Sequence, residues 1–217
     1  MKTDPIICWF SGGVTLAVAC KLTIDKYGKE NCRCIFIDTK NEDDDSYRFL
    51  KDCQLWYGVK IETITNMSYD NIQEVWEKFL GMNFAHGAIC SSELKRAVRI
   101  EFQKTNQFSH QVFGFDTSEP RRALAMKANY PDTKPIFPLL ESNLTKENCV
   151  SYLQDNGIRI PDAYRYGFRN NNCFKTGCVQ GGIGYWQKMK RDFLDKFNAM
   201  AGMVENTIDY KAKAGLQ

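Results

Sequence analysis

The 217-residue sequence lacks any hydrophobic run long enough to cross a membrane, and its N-terminus does not resemble a signal peptide. The apolar run of residues 6–10 is too short for a signal-peptide core, and a glycine turn follows it at once. Six prolines and fifteen glycines form no low-complexity segment, and no internal repeat is visible. With 43% hydrophobic and 25% charged residues, the chain is predicted to be a globular protein of the cytoplasm.

An excess of charge of one sign is also missing, since the formal net charge is only +3. This value is too small for a dedicated nucleic-acid-binding protein. Basic residues nevertheless cluster at Arg121 and Arg122, at the end of a polar loop predicted over residues 116–122, and again at Lys188, Lys190 and Arg191. Such clusters usually solvate a helix face, but a few well-placed cations are enough to make a phosphate site.

Cysteine is abundant, with nine residues, but disulfides are not expected in a reducing compartment, and the odd count does not complete a framework. Cys8 and Cys20 lie in apolar surroundings and are predicted to pack as small core residues. Cys90, Cys173 and Cys178 fall instead in aperiodic segments, where closely spaced thiols can point at one centre. They are either metal ligands or ordinary loop cysteines, because a four-residue spacing is not diagnostic.

The first forty residues predict a strand, a helix and a second strand. Residues 6–10 are uniformly apolar, residues 14–27 repeat apolar side chains at helical spacing, and residues 34–37 form the next strand. Such a βαβ unit forms a parallel sheet, and the alternation continues to about residue 140. We therefore predict an α/β fold with a doubly wound, mostly parallel sheet. A glycine-rich loop over residues 164–184 and a helix over 185–204 predict a cysteine-bearing C-terminal loop–helix region, and the last dozen residues are predicted to be a frayed tail.

A glycine turn joins the first predicted strand to the first predicted helix, and its residues are Ser11, Gly12, Gly13, Val14 and Thr15. Glycine lets the backbone approach an anion closely, and N–H groups at a helix start favour negative charge. The two hydroxyl side chains add donors. Many glycine turns only reverse the chain, but open parallel sheets bind ligands at the carboxyl ends of their strands. The glycine turn is therefore predicted to bind phosphate.

Several other polar residues have two interpretations. Asp38 ends a predicted strand and either holds a metal or ribose, or caps the next segment. The acidic residues 42–45 either bind magnesium or form a solvated helix start, which suits the helix dipole. Lys95 either meets a phosphate or sulfate or is a surface lysine. His86 is a further candidate ligand, and Tyr164 either stacks on a base or anchors its loop.

Residues 10–19 resemble the PP-loop of the adenine nucleotide alpha-hydrolase superfamily, which includes phosphoadenosine phosphosulfate (PAPS) reductases, tRNA thiolation enzymes and other ATP pyrophosphatases. Residues 36–39 resemble the superfamily's second-strand segment, and residues 88–95 resemble its Cys-x-x-x-Leu-Lys segment. Residues 114–122 occupy the place of its later phosphate-facing loop. Residues 170–182 are similar to those of uncharacterised phage and bacterial members of the PAPS reductase type, so the resemblance covers nearly the whole chain.

The resemblance implies a single domain over residues 1–217, with a nucleotide-binding core at 1–140 and a helical region at 141–217. The nucleotide is ATP or PAPS, held by the glycine turn and by Asp38, Thr39 and Gly114. The resemblance implies catalytic roles for three cationic residues that neutralise anionic charge, Lys95, Arg121 and Arg122. The acceptor is not identified, and nucleic acid is among the candidates. The chain is also a candidate to form a homo-oligomer. Its expected location is the host cytoplasm if the chain is phage-encoded.

The resemblance also implies a metal centre. Cys90, Cys173 and Cys178 would hold a four-iron–four-sulfur cluster, with zinc as the alternative and magnesium as an additional candidate near the nucleotide. Cys149 is a conceivable fourth ligand, although its helical position is more typical of a core residue.

Two departures from the superfamily pattern matter. Leu16 stands where the PP-loop has its final serine, so one phosphate-binding hydroxyl is missing. PAPS reductases carry a cysteine near the C-terminus that takes the sulfite, whereas this chain has no cysteine after Cys178. Thioredoxin-linked sulfate reduction by the usual route is therefore not expected. The sequence therefore predicts ATP- or PAPS-dependent sulfur or nucleotidyl-transfer chemistry, with a nucleotide-binding module of little turnover as the alternative.

Overall fold

A computed structural model describes residues 4–85 and 87–213, without the side chains of residues 210–213. His86, a candidate ligand, lies outside the described residues. The chain divides into two compact units. Unit 1 consists of Met1–Ile37, Asp45–Ile64 and Thr105–Asn171, and unit 2 consists of Asp38–Asp44, Thr65–Lys104 and Asn172–Gln217. The single domain predicted over residues 1–217, with a nucleotide-binding core at 1–140 and a helical region at 141–217, stays a prediction.

The strands of the described residues are β1 (Ile6–Phe10), β2 (Cys32–Asp38), β3 (Ile61–Thr65), β4 (Asn83–Phe84), β5 (Gly87–Ala88), β6 (His110–Val112) and β7 (Pro135–Ile136). Five of them form one sheet in the order β3-β2-β1-β6-β7. β1 pairs in parallel with both β2 and β6, and β6 pairs in parallel with β7. The predicted α/β fold with a doubly wound, mostly parallel sheet is confirmed.

The helices are α1 (Val14–Tyr27), α2 (Asp44–Tyr57), α3 (Ile72–Phe79), α4 (Ile89–Ser91), α5 (Ala97–Thr105), α6 (Pro120–Asn129), α7 (Pro138–Glu141), α8 (Lys146–Asp155), α9 (Asp162–Arg165), α10 (Ile183–Asp192) and α11 (Leu194–Lys213). A π-helical turn over Ser92–Arg96 lies between α4 and α5. Single-turn 3-10 helices occur at Lys29–Asn31 and Pro131–Thr133.

The core of unit 1 surrounds β1, whose five residues are all apolar and all buried. A strand buried on both faces is typical of a parallel sheet covered by helices. Cys8, Cys20 and Cys149 are fully buried, in agreement with their prediction as core residues. Hydrogen bonds with neighbouring thiols, that of Cys20 first, together with burial raise the pKa of Cys8, so this thiol stays protonated.

Unit 2 has its own core, in which Trp76 and Val75 of α3 pack with Ile89, Leu94 and Met200. A short antiparallel hairpin, β4 with β5, leads into α4. The π-helical turn after α4 carries Leu94 into this core. Such π-helical turns are uncommon and frequently occur at functional sites.

Two predictions about helices were wrong. Residues 116–122 were expected to be a loop, but α6 begins at Pro120, a residue pre-organised for the first helical position. Residues 185–204 were expected to form one helix followed by a frayed tail. Instead α10 ends before Phe193, whose φ of −141° and ψ of 56° are not helical, and α11 continues to Lys213. Because apolar residues recur on both sides of the break, periodicity did not reveal it.

Candidate functional site

The glycine turn lies in unit 1, where the strand order of the sheet reverses. β2 and β3 follow β1 on one side, whereas β6 and β7 lie on the other. Chain connections diverge at such a point and leave a crevice beyond the carboxyl ends of the strands, which is where open α/β sheets bind ligands. The glycine turn follows β1 directly, and Gly114 comes two residues after β6. Both were predicted to bind nucleotide.

The backbone of the glycine turn requires glycine and exposes the start of α1. Gly12 has a φ of +76°, in the left-handed region that favours glycine. No side chain caps α1 at Gly13, and the first turn contains no acidic residue. The first main-chain bond of the helix is donated by Ala17 to the Gly13 carbonyl, at 3.0 Å. In residues 4–85 and 87–213, the N–H groups of Thr15 and Leu16 have no hydrogen-bond partner, so they are available to an anion.

Two distant side chains hold the turn in place. Asn171 is 6% exposed, and its Nδ2 donates to the carbonyl of Gly12 and to Oγ of Ser46, both at 3.0 Å. The hydroxyl of Tyr164 accepts a hydrogen bond from the N–H of Val14 at 3.4 Å. Tyr164 therefore supports the loop-anchoring interpretation. Sequence reasoning missed Asn171, and the only signal for it was the run of three asparagines in a polar loop.

Replacing Asn171 with aspartate should destabilise the protein, because the glycine turn loses the hydrogen bond that holds its backbone in place. Aspartate is nearly isosteric, but its carboxylate cannot donate to the Gly12 carbonyl. We expect the free energy of unfolding to fall by about 2 kcal/mol, because a buried acceptor loses its donor. Urea denaturation measures this change. Asn198→Asp, at an exposed position in α11, is the matched control, and equal stability of the two variants would contradict the assigned role.

Gly114 lets the chain after β6 pass close to α1. A Cβ atom at this position would lie 2.8 Å from Cγ of Leu16, 3.0 Å from its backbone N and 3.1 Å from its Cα. Contacts this short with backbone atoms cannot be relieved by rotating a side chain. Leu16, which replaces the expected serine of the PP-loop, therefore packs over Gly114.

The loop between β6 and α6 places the two predicted arginines. Asp116 is buried, and its Oδ1 accepts from the N–H and the hydroxyl of Ser118 at 2.8 and 2.6 Å, which fixes the loop before α6. Arg122 pairs with Glu119 and lies 4.7 Å from the centre of the Phe115 ring. Arg121 is exposed and has no ion pair among the described residues. Of the two arginines, Arg121 is therefore the more available to a ligand.

Unit 2 contains a cavity of about 90 Å³ that brings together all three predicted metal-ligating cysteines. Cys90, Cys173 and Cys178 line it, together with Lys95 and Thr39. We call it the thiol cavity. The structure thus places the glycine turn, Gly114, Arg121 and Arg122 in unit 1, and it places Asp38, Thr39, Lys95 and the three cysteines in unit 2.

Local backbone geometry positions the two loop cysteines. Cys173 has a left-handed φ of +44°, and its carbonyl accepts from the N–H groups of Thr176 and Gly177 at 3.3 and 2.9 Å. Gly177 also has a positive φ of +95°, and a Cβ there would lie 2.5 Å from the ring of Trp186. The N–H of Cys178 donates to the hydroxyl of Tyr185 at 3.2 Å. This turn returns the chain so that both cysteines reach the same cavity.

A buried carboxylate and a lysine set the charge of the thiol cavity. Nζ of Lys95 lies 3.7 Å from Oε1 of Glu42, whose side chain is 2% exposed. The hydroxyl of Thr39 also donates to Glu42, at 2.9 Å. Burial lowers the pKa of Lys95, but Glu42 and then the thiols outweigh it, and the net pKa is raised. Burial raises the pKa of Cys173 to about 12, against the charge of Lys95.

The metal centre predicted at these cysteines is not confirmed. Across the part of the chain that the structure describes, no group of three or more His, Cys, Asp or Glu side chains is arranged to hold a metal ion. Burial raises the pKa of Cys90, as it does that of Cys173. As placed, these residues do not fit a cluster or a zinc ion, and no chemical step is assigned to one.

Of the acidic residues 42–45, Asp44 is exposed at the first position of α2, as the solvated interpretation predicts, whereas the other three are paired with cations. Glu42 is buried beside Lys95, and Asp43 pairs with Lys196 at 2.7 Å. Asp45 pairs with Arg48 at 2.7 Å. Each of these three carboxylates therefore has a cationic partner within the protein.

Asp38 and Thr39 have local roles in the structure. Oδ1 of Asp38 accepts from the N–H of Lys40 at 2.7 Å, in a turn where Lys40 has a φ of +58°. This bond matches the capping interpretation of Asp38. Contact of either residue with adenosine stays a prediction.

Comparison with known proteins identifies the family. The model of the phosphoadenosine phosphosulfate reductase domain matches residues 5–179. No protein of curated function matches the sequence. Among solved structures, the phosphate complex of PAPS reductase from Candida auris superposes with a TM-score of 0.57 and 15% identity, covering 77% of this chain and 80% of that chain. Among the helices of residues 4–85 and 87–213, none combines the length and the apolar character of a membrane span. The matched region is most of the sequence, and the chain belongs to the phosphoadenosine phosphosulfate reductase domain family.

Proposed function

We propose that this protein binds an adenine nucleotide, ATP or PAPS, with phosphate groups on the glycine turn, and uses it for sulfur or nucleotidyl-transfer chemistry. The observation that carries the proposal is the uncapped start of α1 behind a left-handed Gly12, at the point where the strand order reverses. Anions bind at such helix starts because unpaired N–H groups and the helix dipole act together. Membership of the family supports nucleotide-related sulfur chemistry.

The residues of unit 1 then have defined tasks. The N–H groups of Thr15 and Leu16 and the hydroxyls of Ser11 and Thr15 bind phosphate oxygens. Arg121 adds a charge that offsets the negative charge growing on phosphate or sulfate oxygens in the transition state. With ATP, attack at the α-phosphorus releases pyrophosphate and leaves an adenylated acceptor. With PAPS, transfer of the sulfonyl group releases adenosine 3′,5′-bisphosphate.

For unit 2 we propose that the thiol cavity handles the sulfur-containing species, with Lys95 as its cation. Three thiols and one lysine line this small cavity. The positive charge of the lysine would bind an anionic sulfur group, and a cysteine thiolate would act as the nucleophile that attacks it. We also propose that the acceptor is a small metabolite or a nucleic acid and that the protein acts in the cytoplasm.

Nucleotide protection tests the proposal directly. ATP or PAPS, each at a hundred times its Kd, should raise the free energy of unfolding by about 2.7 kcal/mol. Ser11→Ala and Thr15→Val should each weaken binding about fivefold, since each loses one hydrogen bond to an anion, whereas Ser142→Ala, at an exposed position, should not. If ATP, AMP and PAPS all fail to raise the melting temperature, the proposal is wrong.

A second function is favoured by Leu16, which packs over Gly114 where the superfamily has a serine. A chain without that hydroxyl can bind nucleotide through backbone N–H groups and still turn it over slowly. Assays for released pyrophosphate and adenosine 3′,5′-bisphosphate separate the two functions. Tight binding without either product, in the presence of candidate acceptors, identifies a nucleotide-binding module such as a sensor.

The predicted cluster or zinc has a separate test. If Cys90, Cys173 and Cys178 bind a metal after rearranging, protein purified without oxygen contains iron and labile sulfide, or zinc. Each serine variant should then lose that metal, whereas Cys149→Ser, in the core of unit 1, should keep it. Metal-free wild-type protein in which a thiol reagent titrates Cys178 would show that the cavity works with thiols alone.

A further inference from the structure

Lys146 lies among groups that support the glycine turn. Its Nζ donates to Oδ1 of Asn170 at 2.7 Å and to the carbonyl of Arg169. Nζ also lies 5.2 Å from the centre of the Tyr164 ring. The Tyr164 hydroxyl in turn accepts from Val14 of the glycine turn. Lys146 is therefore one side chain away from the turn.

Lys146 also lies close to the loop that carries the predicted arginines. The N–H of Thr117 donates to the carbonyl of Leu144, at 3.2 Å, just before α8 begins. The carboxylates of Asp116 and Glu119 raise the pKa of Lys146, but burial outweighs them. All of these residues belong to unit 1.

The charge on Lys146 is poorly compensated where it stands. It is the first residue of α8, a position where the helix dipole disfavours a cation. Burial, and then the positive charge of Arg169, lower the pKa of Lys146. Within the described ranges, Lys146 has no salt bridge, and the exposed guanidinium of Arg169 has neither a hydrogen bond nor an ion pair. Lys146 and Arg169 therefore place two adjacent positive charges beside the groups that support the glycine turn, and the exposed guanidinium of Arg169 is available to an anion from outside the chain.

We propose that Lys146 and Arg169 bind a phosphate or sulfate group of the adenine nucleotide and complete the anion site of the glycine turn. This inference rests on the proposed function, because the nucleotide on the turn brings the anion within reach of the pair. It assigns a phosphate-binding role to a lysine that neither the motif resemblance nor the charge clusters indicated. Its chemistry requires only positive charge, so arginine should replace Lys146 and glutamine should not.

Binding of adenosine and its phosphorylated forms tests the proposal. Titration calorimetry should show that Lys146→Gln weakens ATP and adenosine 3′,5′-bisphosphate about tenfold, the effect of one charge-assisted hydrogen bond, and leaves adenosine unchanged. Arg169→Gln should act in the same direction, and Lys146→Arg should retain most of the affinity. Lys51→Gln, an equal change of charge at an exposed site of α2, is the control.

The outcomes separate this inference from the proposed function. If wild-type protein binds ATP and Lys146→Gln binds it equally tightly, the pair has no role, although the turn does bind nucleotide. If Lys146→Gln weakens adenosine and ATP by the same factor, Lys146 only clamps its loop, and the inference is overturned. If wild-type protein binds none of the three ligands, the proposed function fails as well.

Discussion

Replacing Gly114 with alanine weakens ATP or PAPS binding at least tenfold, because the new methyl group displaces the first turn of α1. Its Cβ would lie 3.0 Å from the backbone N of Leu16 and 3.1 Å from its Cα. Overpacking of this kind costs about 1–3 kcal/mol, and here the atoms that must move carry the N–H groups assigned to the phosphate. Affinity and stability should therefore fall together, since a tenfold loss of affinity is about 1.4 kcal/mol.

Two companion variants make the result specific. Gly184→Ala, where nothing lies within 4 Å of a new Cβ, should bind nucleotide normally. Gly114→Ala with Leu16→Ala removes the contact with the leucine side chain at 2.8 Å and leaves the backbone contacts in place. It should recover only part of the affinity. Unchanged binding by Gly114→Ala would show that the start of α1 does not touch the nucleotide.

Replacing Lys95 with methionine lowers the free energy of unfolding by about 2–4 kcal/mol, because it strands the buried carboxylate of Glu42. Lys95 itself is 36% exposed, so solvent screening keeps the loss in the lower part of this range. The hydroxyl of Thr39 remains as a donor to Glu42. Chemical denaturation of the purified variants measures the loss.

A double variant distinguishes the ion pair from simple loss of packing. Glu42→Gln combined with Lys95→Met leaves no unpaired charge and should be more stable than Lys95→Met alone. A double variant that is as unstable as Lys95→Met would contradict the assigned pairing. Because Lys95 lines the thiol cavity, the same variants should also show altered reactivity of the cavity thiols.

The parts of the fold that depend on local pattern were predictable from the sequence. The uniformly apolar residues 6–10 indicated a buried strand, and the helical spacing that follows gave α1 with the bounds Val14–Tyr27 that the structure has. The turn between them was recognisable because adjacent glycines permit the tight reversal that joins a buried strand to a helix. A doubly wound sheet followed from the alternation of strands and helices.

The hydrogen bonds and ion pairs that hold the two sites in place were not predictable, because they join residues far apart in the chain. Asn171 lies 159 residues from Gly12, and nothing in either segment marks the bond between them. The pairing of Glu42 with Lys95 was hidden in the same way, since acidic residues before a helix are ordinarily solvated. α6 was missed because its first turn, with Arg121 and Arg122, is as polar as a loop.

The central proposal is a phosphate site at the start of α1, and backbone amide NMR tests it directly. When ATP or PAPS is titrated into labelled protein, the N–H resonances of Gly13, Val14, Thr15 and Leu16 should move downfield together and saturate with the calorimetric Kd. Adenosine should move them much less. If saturating nucleotide leaves these four resonances where they were, the phosphates bind elsewhere, and the function proposed for the glycine turn is wrong.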